Sequence, residues 1–396
     1  MKSKKMKAKT ASYKKIIIEI LVMTIVVTFL IIFLTSCLKE KEDDNIAKPG
    51  TKPDTEEYNY KALADSLQNA TYLSFLSSNG RYYIHNNTGN TNFNYWWNAH
   101  VVDVLVDGYI RTSDEKYKER IKALVAGIKE TNGGSYINDY YDDMEWLALS
   151  SLRAYEATQD QEFMDLSSLL WTDIQTGYNT SQGGGIAWRK SQMDYKNTPA
   201  NAPAIILACR LFRQKKNEAD LEMAKKLYSW LKGTLIDPAT GVAWDGINRQ
   251  KDGQIDTWYF TYNQGVFIGA ALELYKTTNE QSYLNDAMRN ADYIINDVQL
   301  LPGGIMKEEG NGDGGLFKGI LVRYLALLAK DPGVPQSKKE KYMSVIEFNA
   351  KTLYEKGIRR PIMLVGPDWT KAPGGGTDLS AQLSGLMLIE AAANFE

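Results

Sequence analysis

From about residue 57 onward, apolar residues recur at helical spacing between glycine-rich turns, and long alternating runs of β-branched residues are absent. The pattern predicts a mostly helical domain. Two kinds of helix take turns. One kind is charged and amphipathic, with segments starting near Asp114, Glu218, Glu280 and Gln336 that each keep one wet face. The other is poor in charge and rich in Ala, Gly and Leu, with segments from Tyr95, Asp142, Pro199, Asn263, Phe317 and Asp378. Helices apolar on nearly every side have to be buried. The six buried segments recur at intervals of roughly 45 to 65 residues, the range in which an internal repeat signals a closed or stacked array. An amphipathic partner precedes each. Six inner and six outer helices make an all-α (α/α)6 toroid, expected as a single domain over 57–396. An open helical solenoid is the rival, but it calls for a shorter and more regular period than this chain has.

The first residues follow a different pattern. Lys2, Lys4, Lys5, Lys7, Lys9, Lys14 and Lys15 precede an apolar run from Ile16 to Leu34 whose only charge is Glu19. Such a segment is a targeting signal rather than part of the fold. It ends in Leu34-Thr35-Ser36-Cys37, which resembles a bacterial lipobox, so 1–36 is expected to be a signal peptide and Cys37 the lipidated residue. An acyl anchor then replaces a spanning helix; an uncleaved signal anchor is the alternative. Residues 37–56 hold too little apolar content to fold and form a tether. The acidic cluster at its start resembles a surface-export signal of bacterial lipoproteins, so the expected location is the outer membrane, at the cell surface or its periplasmic face. Cys209, the only other cysteine, sits among Ile205, Ile206, Leu207 and Leu211 and is expected to be a buried helix thiol without a disulfide partner.

Forty-six Lys plus Arg against 48 Asp plus Glu leave a formal net charge of -2, which supplies no basic field for nucleic acid. The loops leading into the inner helices carry more information. Asn132-Gly133-Gly134, Gly183 to Trp188, Gly241 to Gly246, Asn311 to Gly315 and Gly374-Gly375-Gly376 all precede an inner helix and so lie at one end of the toroid. Glycine lets backbone turn sharply beside a ligand, and the interleaved Trp, Asp and Asn offer flat apolar faces with hydrogen-bonding edges. A carbohydrate has the complementary surface, apolar C–H faces rimmed by hydroxyls. The 9 Trp and 24 Tyr suit a glycan cleft, although for any single one core packing is the better account. The Asn311–Gly315 loop lacks the ligand spacing and closing glutamate of a calcium loop.

Tyr140-Tyr141-Asp142-Asp143-Met144-Glu145-Trp146 opens the second inner helix and aims two adjacent carboxylates at that rim. At 3.6 residues per turn, neighbouring side chains diverge by about 100° and their carboxylates can still approach within roughly 5 to 6 Å, near the separation used by retaining glycosidases. The helix dipole favours an ionised Asp142, a nucleophile, and the charge of Asp142 raises the pKa of Asp143, a general acid. A capping box with Asp142 as N-cap and Glu145 reaching back explains the same spacing equally well.

Tyr95-Trp96-Trp97-Asn98-Ala99-His100 with Asp103, Asp142-Asp143-x-x-Trp146, Trp258 to Gly265 and Asp313 to Arg323 together resemble glycoside hydrolase family 76, which includes bacterial endo-α-1,6-mannanases and fungal wall transglycosylases. The resemblance implies an endo-acting, retaining hydrolase of α-1,6-linked mannan, Asp142 as nucleophile and Asp143 as acid/base, with no metal or organic cofactor and as a monomer. It also implies cleft roles for Trp97, Trp146, Trp188, Tyr262, Asn263, Gln264, Asp313 and Lys318. His100 is weighed between a buried, hydrogen-bonded residue and a sugar contact. Many relatives carry an aromatic where this chain has Leu147, which bears on one sugar subsite. A non-catalytic glycan-binding lipoprotein, an unsaturated glucuronyl hydrolase and a mannan transglycosylase are the competing functions. The first would lack one of the aspartates, and the second would concentrate basic residues on the rim.

Overall fold

The computed structural model describes residues 58–396; the expected signal peptide of 1–36, the expected lipidation at Cys37 and the expected tether of 37–56 lie outside the described residues. Tyr58–Glu396 forms one compact unit built from twelve α-helices in chain order. The outer helices are α1 (Tyr60–Phe75), α3 (Glu115–Thr131), α5 (Gln161–Ile174), α7 (Glu218–Thr234), α9 (Gln281–Ile294) and α11 (Gln336–Thr352). They alternate with inner helices α2 (Tyr95–Thr112), α4 (Tyr141–Thr158), α6 (Thr198–Lys215), α8 (Thr261–Thr278), α10 (Gly314–Lys330) and α12 (Leu379–Ala393). Each inner helix packs on the inner helix before and after it, and α12 returns to α2, which closes the (α/α)6 ring. The inner helices are the six charge-poor segments predicted from the sequence. Cys209 is buried and free on α6. Among the described residues no helix is long and apolar enough to cross a membrane.

The connections differ at the two ends for a local reason. Inner helices α2, α4, α6 and α8 each end on a left-handed residue: Ser113, Gln159, Lys216 and Asn279, with φ between 55° and 61°. The next residue, Asp114, Asp160, Asn217 or Glu280, is already the N-cap of the outer helix. Asp114 accepts from the Lys116 N–H at 3.0 Å, satisfying one of the donors that a helix start leaves free. A two-residue turn therefore suffices there, and every long loop is sent to the other end, above the N-termini of the inner helices.

Those loops add something the helical pattern did not predict, a four-stranded antiparallel sheet of β1 (Ala187–Arg189), β2 (Gln192–Asn197), β3 (Gly246–Ile247) and β4 (Ile255–Asp256) in that order. Strands this short carry no legible alternation. Tyr140 pairs with Arg189, so the sheet is tied to the start of α4. A hairpin of β5 (Ile358–Arg359) and β6 (Leu364–Val365) lies before α12.

Towards the C-terminal ends of the inner helices the toroid axis is polar. Arg153 is ion-paired with Asp103 and with Asp107, the latter at 2.6 Å, and Arg323 reaches Asp103 and Asp107 at 2.6 Å each. Arg210 holds Glu273 at 2.8 Å, and Arg111 holds Glu390 at 2.8 Å. Buried charges persist only when paired this way.

Candidate active site

Helix α4 starts two residues earlier than a capping box on Asp142 would place it. Tyr140 is the N-cap, with extended backbone and no side-chain cap bond, held by its pairing with Arg189 and by its N–H donating to Asn138 Oδ1 at 3.0 Å. Lys190 N–H adds a bond to the Asp139 carbonyl at 2.8 Å. Asp142 and Asp143 consequently occupy the first helical turn and face the loops. The capping box is thereby corrected. Glu145 is fully buried, and neither carboxylate oxygen makes a hydrogen bond, because its position on α4 turns it into the protein rather than back along the helix. Burial, with the Asp142 charge adding to it, raises its pKa well above the ordinary glutamate value, so it is carried as the neutral acid.

The two aspartates stand on the wall of a cleft of about 570 Å³ whose other carboxylates are Asp245 and Asp313 and whose faces are aromatic, with Trp96, Trp146, Trp188, Tyr195, Tyr262 and Phe317. Asp142 is the better solvated by the protein. Its Oδ2 accepts from the Trp188 indole N–H at 3.0 Å and its Oδ1 from the Asp143 backbone N–H at 3.0 Å. Asp143 has one distant donor, Asn138 Nδ2 at 3.4 Å. Desolvation raises the pKa of Asp142 to about 7, with the Trp188 and Asp143 N–H groups acting against it. Desolvation, then the charges of Asp142 and Asp313, push Asp143 well above the ordinary range. Two carboxyls with unequal donor sets separate into one that ionises first and one that keeps its proton, the division that acid-assisted nucleophilic displacement requires.

Asp313 begins α10 and accepts from the indoles of Trp96 and Trp97 at 3.0 and 2.9 Å. A Cβ on Gly314 would fall 2.0 Å from the Glu309 carbonyl oxygen; only glycine lets the chain turn this tightly and deliver Asp313 to the cleft. One turn further along α10, Phe317 stacks on Tyr262 with ring centroids 3.9 Å apart and planes at 11°, an apolar aromatic surface in the cleft lining suited to the C–H face of a pyranose.

Six of the residues singled out in the sequence come together here: Asp142, Asp143, Trp146, Trp188, Tyr262 and Asp313. Five others lie beneath the cleft and do not line it. Trp97 is buried and holds Asp313. Asn263 is buried and donates to Asp245 Oδ1 at 3.3 Å. Gln264 is spent on the Ala243 backbone, donating at 2.8 Å and accepting at 2.9 Å, and also accepts from Asn290. Lys318 donates to the Pro367 carbonyl at 2.5 Å and lies over the Trp369 ring, and its burial lowers its pKa to about 7. His100 is buried against Trp146 at 4.7 Å with neither ring nitrogen hydrogen-bonded to protein; burial lowers its pKa to about 3, and it lines an axial cavity of about 340 Å³ instead. His100 thus takes the buried position of the first alternative, as a neutral imidazole under the cleft floor.

Tyr195, Asp245 and Arg249 are cleft residues that sequence reasoning missed. Arg249 is ion-paired with Asp245 and reaches Asp256 at 3.1 Å, while Tyr195 hydroxyl bonds Asp245 Oδ2 at 3.2 Å. They come from the small sheet and its hairpin, where no periodicity marks them; only the Trp244-Asp245-Gly246 turn offered a signal. Trp96 and Phe317 stand within segments that were informative as blocks, beside neighbours that turn inward.

A ring of six helix pairs whose inner N-termini surround an acidic, aromatic-walled cleft with two unequal carboxyls is the architecture of a glycoside hydrolase. The model of Glycosyl hydrolase family 76 matches residues 59–396. The chain belongs to that family. Among solved structures, it is 47% identical to the alpha-1,6-mannanase of Salegentibacter sp. HEL1_6, covering 85% of this chain and 100% of that one with a TM-score of 0.83. It is 38% identical to the Lin0763 protein of Listeria innocua, covering 85% of this chain and 98% of that one with a TM-score of 0.80. In sequence it is 25% identical to the mannan endo-1,6-alpha-mannosidase DCW1 of Saccharomyces cerevisiae over 67% of this chain and 66% of the fungal one. The match spans slightly less than two thirds of that relative's length.

Proposed function

We propose that this chain is a retaining endo-α-1,6-mannanase in which Asp142 is the nucleophile and Asp143 the acid/base. The observation that carries the proposal is the unequal pair itself, two adjacent carboxyls in one aromatic cleft with the hydrogen-bond donors gathered on Asp142. Support for the substrate comes from the Salegentibacter mannanase, a variant of which, inactive through replacement of two aspartates adjacent in its sequence, has been seen in complex with alpha-1,6-mannotriose. Asp142-Asp143 is the one Asp-Asp pair between residues 58 and 396 of this chain.

In the first step Asp142 attacks the anomeric carbon while the Asp143 proton passes to the glycosidic oxygen, so the bond to the leaving sugar breaks as the glycosyl-ester bond forms. In the second, Asp143, now ionised, takes a proton from water, whose oxygen displaces Asp142 and restores both carboxyls. No external oxidant, metal or cofactor enters this balance. The stacked Tyr262–Phe317 face supports a sugar ring, and Asp245 and Asp313 are placed to accept hydrogen bonds from sugar hydroxyls.

The protein is further proposed to act on extracellular polysaccharide as a monomer tethered through a lipidated Cys37, at the outer-membrane surface or its periplasmic face. Replacement Cys37→Ala in the full chain then abolishes incorporation of a labelled fatty acid, which the wild type should take up.

The deciding experiment incubates residues 38–396 with linear α-1,6-mannan beside Asp142→Asn and Asp143→Asn. The expected result is oligosaccharide release by the wild type, an α-anomer as first product by NMR, and loss of release in both variants. Binding without release would assign a glycan-binding role instead, and longer oligosaccharides accumulating from short ones would assign transglycosylation.

A further inference from the structure

Of the nine tryptophans, Trp258 is the one whose side chain stands exposed, at 56%. It lies between β4 and α8, on the loop side of the toroid. Two routes join it to the cleft. The Arg249 guanidinium lies 5.2 Å from the Trp258 ring while pairing with Asp245, and both Arg249 and Asp245 line the cleft. Phe260, two residues on, packs on Phe317 at 5.4 Å, and Phe317 stacks on Tyr262 in the cleft wall. Beside Trp258 is an open depression lined by Thr257, Tyr259, Phe260, Gln299 and Lys307. The Tyr259 hydroxyl lies 2.9 Å from Gln299 Oε1, which occupies the carbonyl end of that amide and leaves its N–H donors available. An indole left in water loses the favourable burial that every other tryptophan here has gained to some degree. A large apolar side chain kept exposed, beside free donors and continuous with a ligand cleft, marks a surface that a ligand covers.

We propose that Trp258, with Tyr259 and Phe260, is an outer sugar-binding subsite that holds mannosyl units of a chain running out of the cleft. The proposal rests on the α-mannan reading of the cleft. The chemistry is that of a pyranose, whose apolar C–H face covers the indole while its hydroxyls meet Gln299 and Lys307. A short oligosaccharide fills the cleft without reaching Trp258, whereas a polymer spans both, so the subsite acts on chain-length preference and leaves the chemical step alone.

The test compares wild type, Trp258→Ala and Trp258→Phe on α-1,6-mannotriose and on linear α-1,6-mannan, and measures mannan binding by each in an Asp142→Asn, Asp143→Asn background. The expected result is a loss of about tenfold in kcat/KM on the polymer for Trp258→Ala, equivalent to ~1.4 kcal/mol. Trp258→Phe should lose less, the triose rate should hold within about twofold, and polymer Kd in the inactive background should weaken by the same factor. Equal loss on triose and polymer, or none on either, overturns the subsite while cleavage itself stands. If the wild type cleaves nothing, the binding arm decides. Weaker mannan binding by Trp258→Ala would then support the subsite while the hydrolase reading falls, and unchanged binding would overturn both.

Discussion

Replacing Trp188 by Phe removes one hydrogen from the site that matters for pH. The indole N–H donates to Asp142 Oδ2 at 3.0 Å and opposes the desolvation that raises this carboxyl to about 7. A hydrogen bond to an ionised group contributes about 1.5–3 kcal/mol. Water entering beside the smaller ring recovers part of that, which leaves ~1.4 kcal/mol, or one pKa unit. The sign follows from the roles. kcat/KM rises with pH as Asp142 ionises and falls again as Asp143 loses its proton. Loss of a donor to the charged form makes Asp142 harder to ionise, so the acid limb moves up by ~1 unit, and the base limb, set by Asp143, moves little. The bell narrows. On the acid side of the limb, activity drops about tenfold, while at the top of the bell it changes far less, because the nucleophile is ionised in either protein. Trp188 also packs edge-on against Tyr140 at 5.1 Å and Tyr195 at 5.7 Å; losing that packing lowers the whole curve without displacing it. Initial rates on an α-1,6-manno-oligosaccharide at low concentration, taken across the pH range, separate the two effects. An acid limb that stays in place or moves down would refute the assignment of Asp142 as the group that must ionise.

Asp313→Asn provides the opposite sign, since the charge of Asp313 raises both Asp142 and Asp143; both limbs should move to lower pH by up to about one unit, while the Asn oxygen keeps the Trp96 and Trp97 bonds. Glu145→Gln should stabilise the fold increasingly as pH rises. A buried carboxyl with a raised pKa binds its proton more tightly folded than unfolded, so its favourable contribution is complete below the unfolded value and is lost as pH rises beyond it. The variant's Tm should match wild type near pH 4 and exceed it by ~2 °C or more near pH 9, and equal Tm at both would contradict a neutral buried Glu145. Arg153→Met leaves Asp103 and Asp107 with Arg323 alone, and a denaturant midpoint corresponding to a loss of about 3 kcal/mol is expected, with the pH profile of the folded enzyme unchanged.

Much of this molecule was written locally. The charge-poor segments from Tyr95, Asp142, Pro199, Asn263, Phe317 and Asp378 announced the inner helices because burial on all sides is a property of composition, and it does not depend on which neighbours do the burying. That the glycine-rich loops share one end followed from alternation alone. The Asp142-Asp143 pair could be singled out but not separated from a capping box, because both uses need the same spacing.

What the tertiary structure decided was direction and company. It set Tyr140 as the N-cap by pairing it with Arg189, 49 residues away, and that two-residue shift of register put both aspartates in the cleft and Glu145 in the core. It brought Trp188 to Asp142 across 46 residues and Asp313 to Trp97 across 216. It also placed Tyr195, Asp245 and Arg249, whose strands are too short to show a period, on the cleft wall. Periodicity records which face of an element is apolar, a local property of 3.6 residues per turn. Which donor meets which carboxylate depends on contacts between segments far apart in the chain, and only the closed ring of helices makes those contacts.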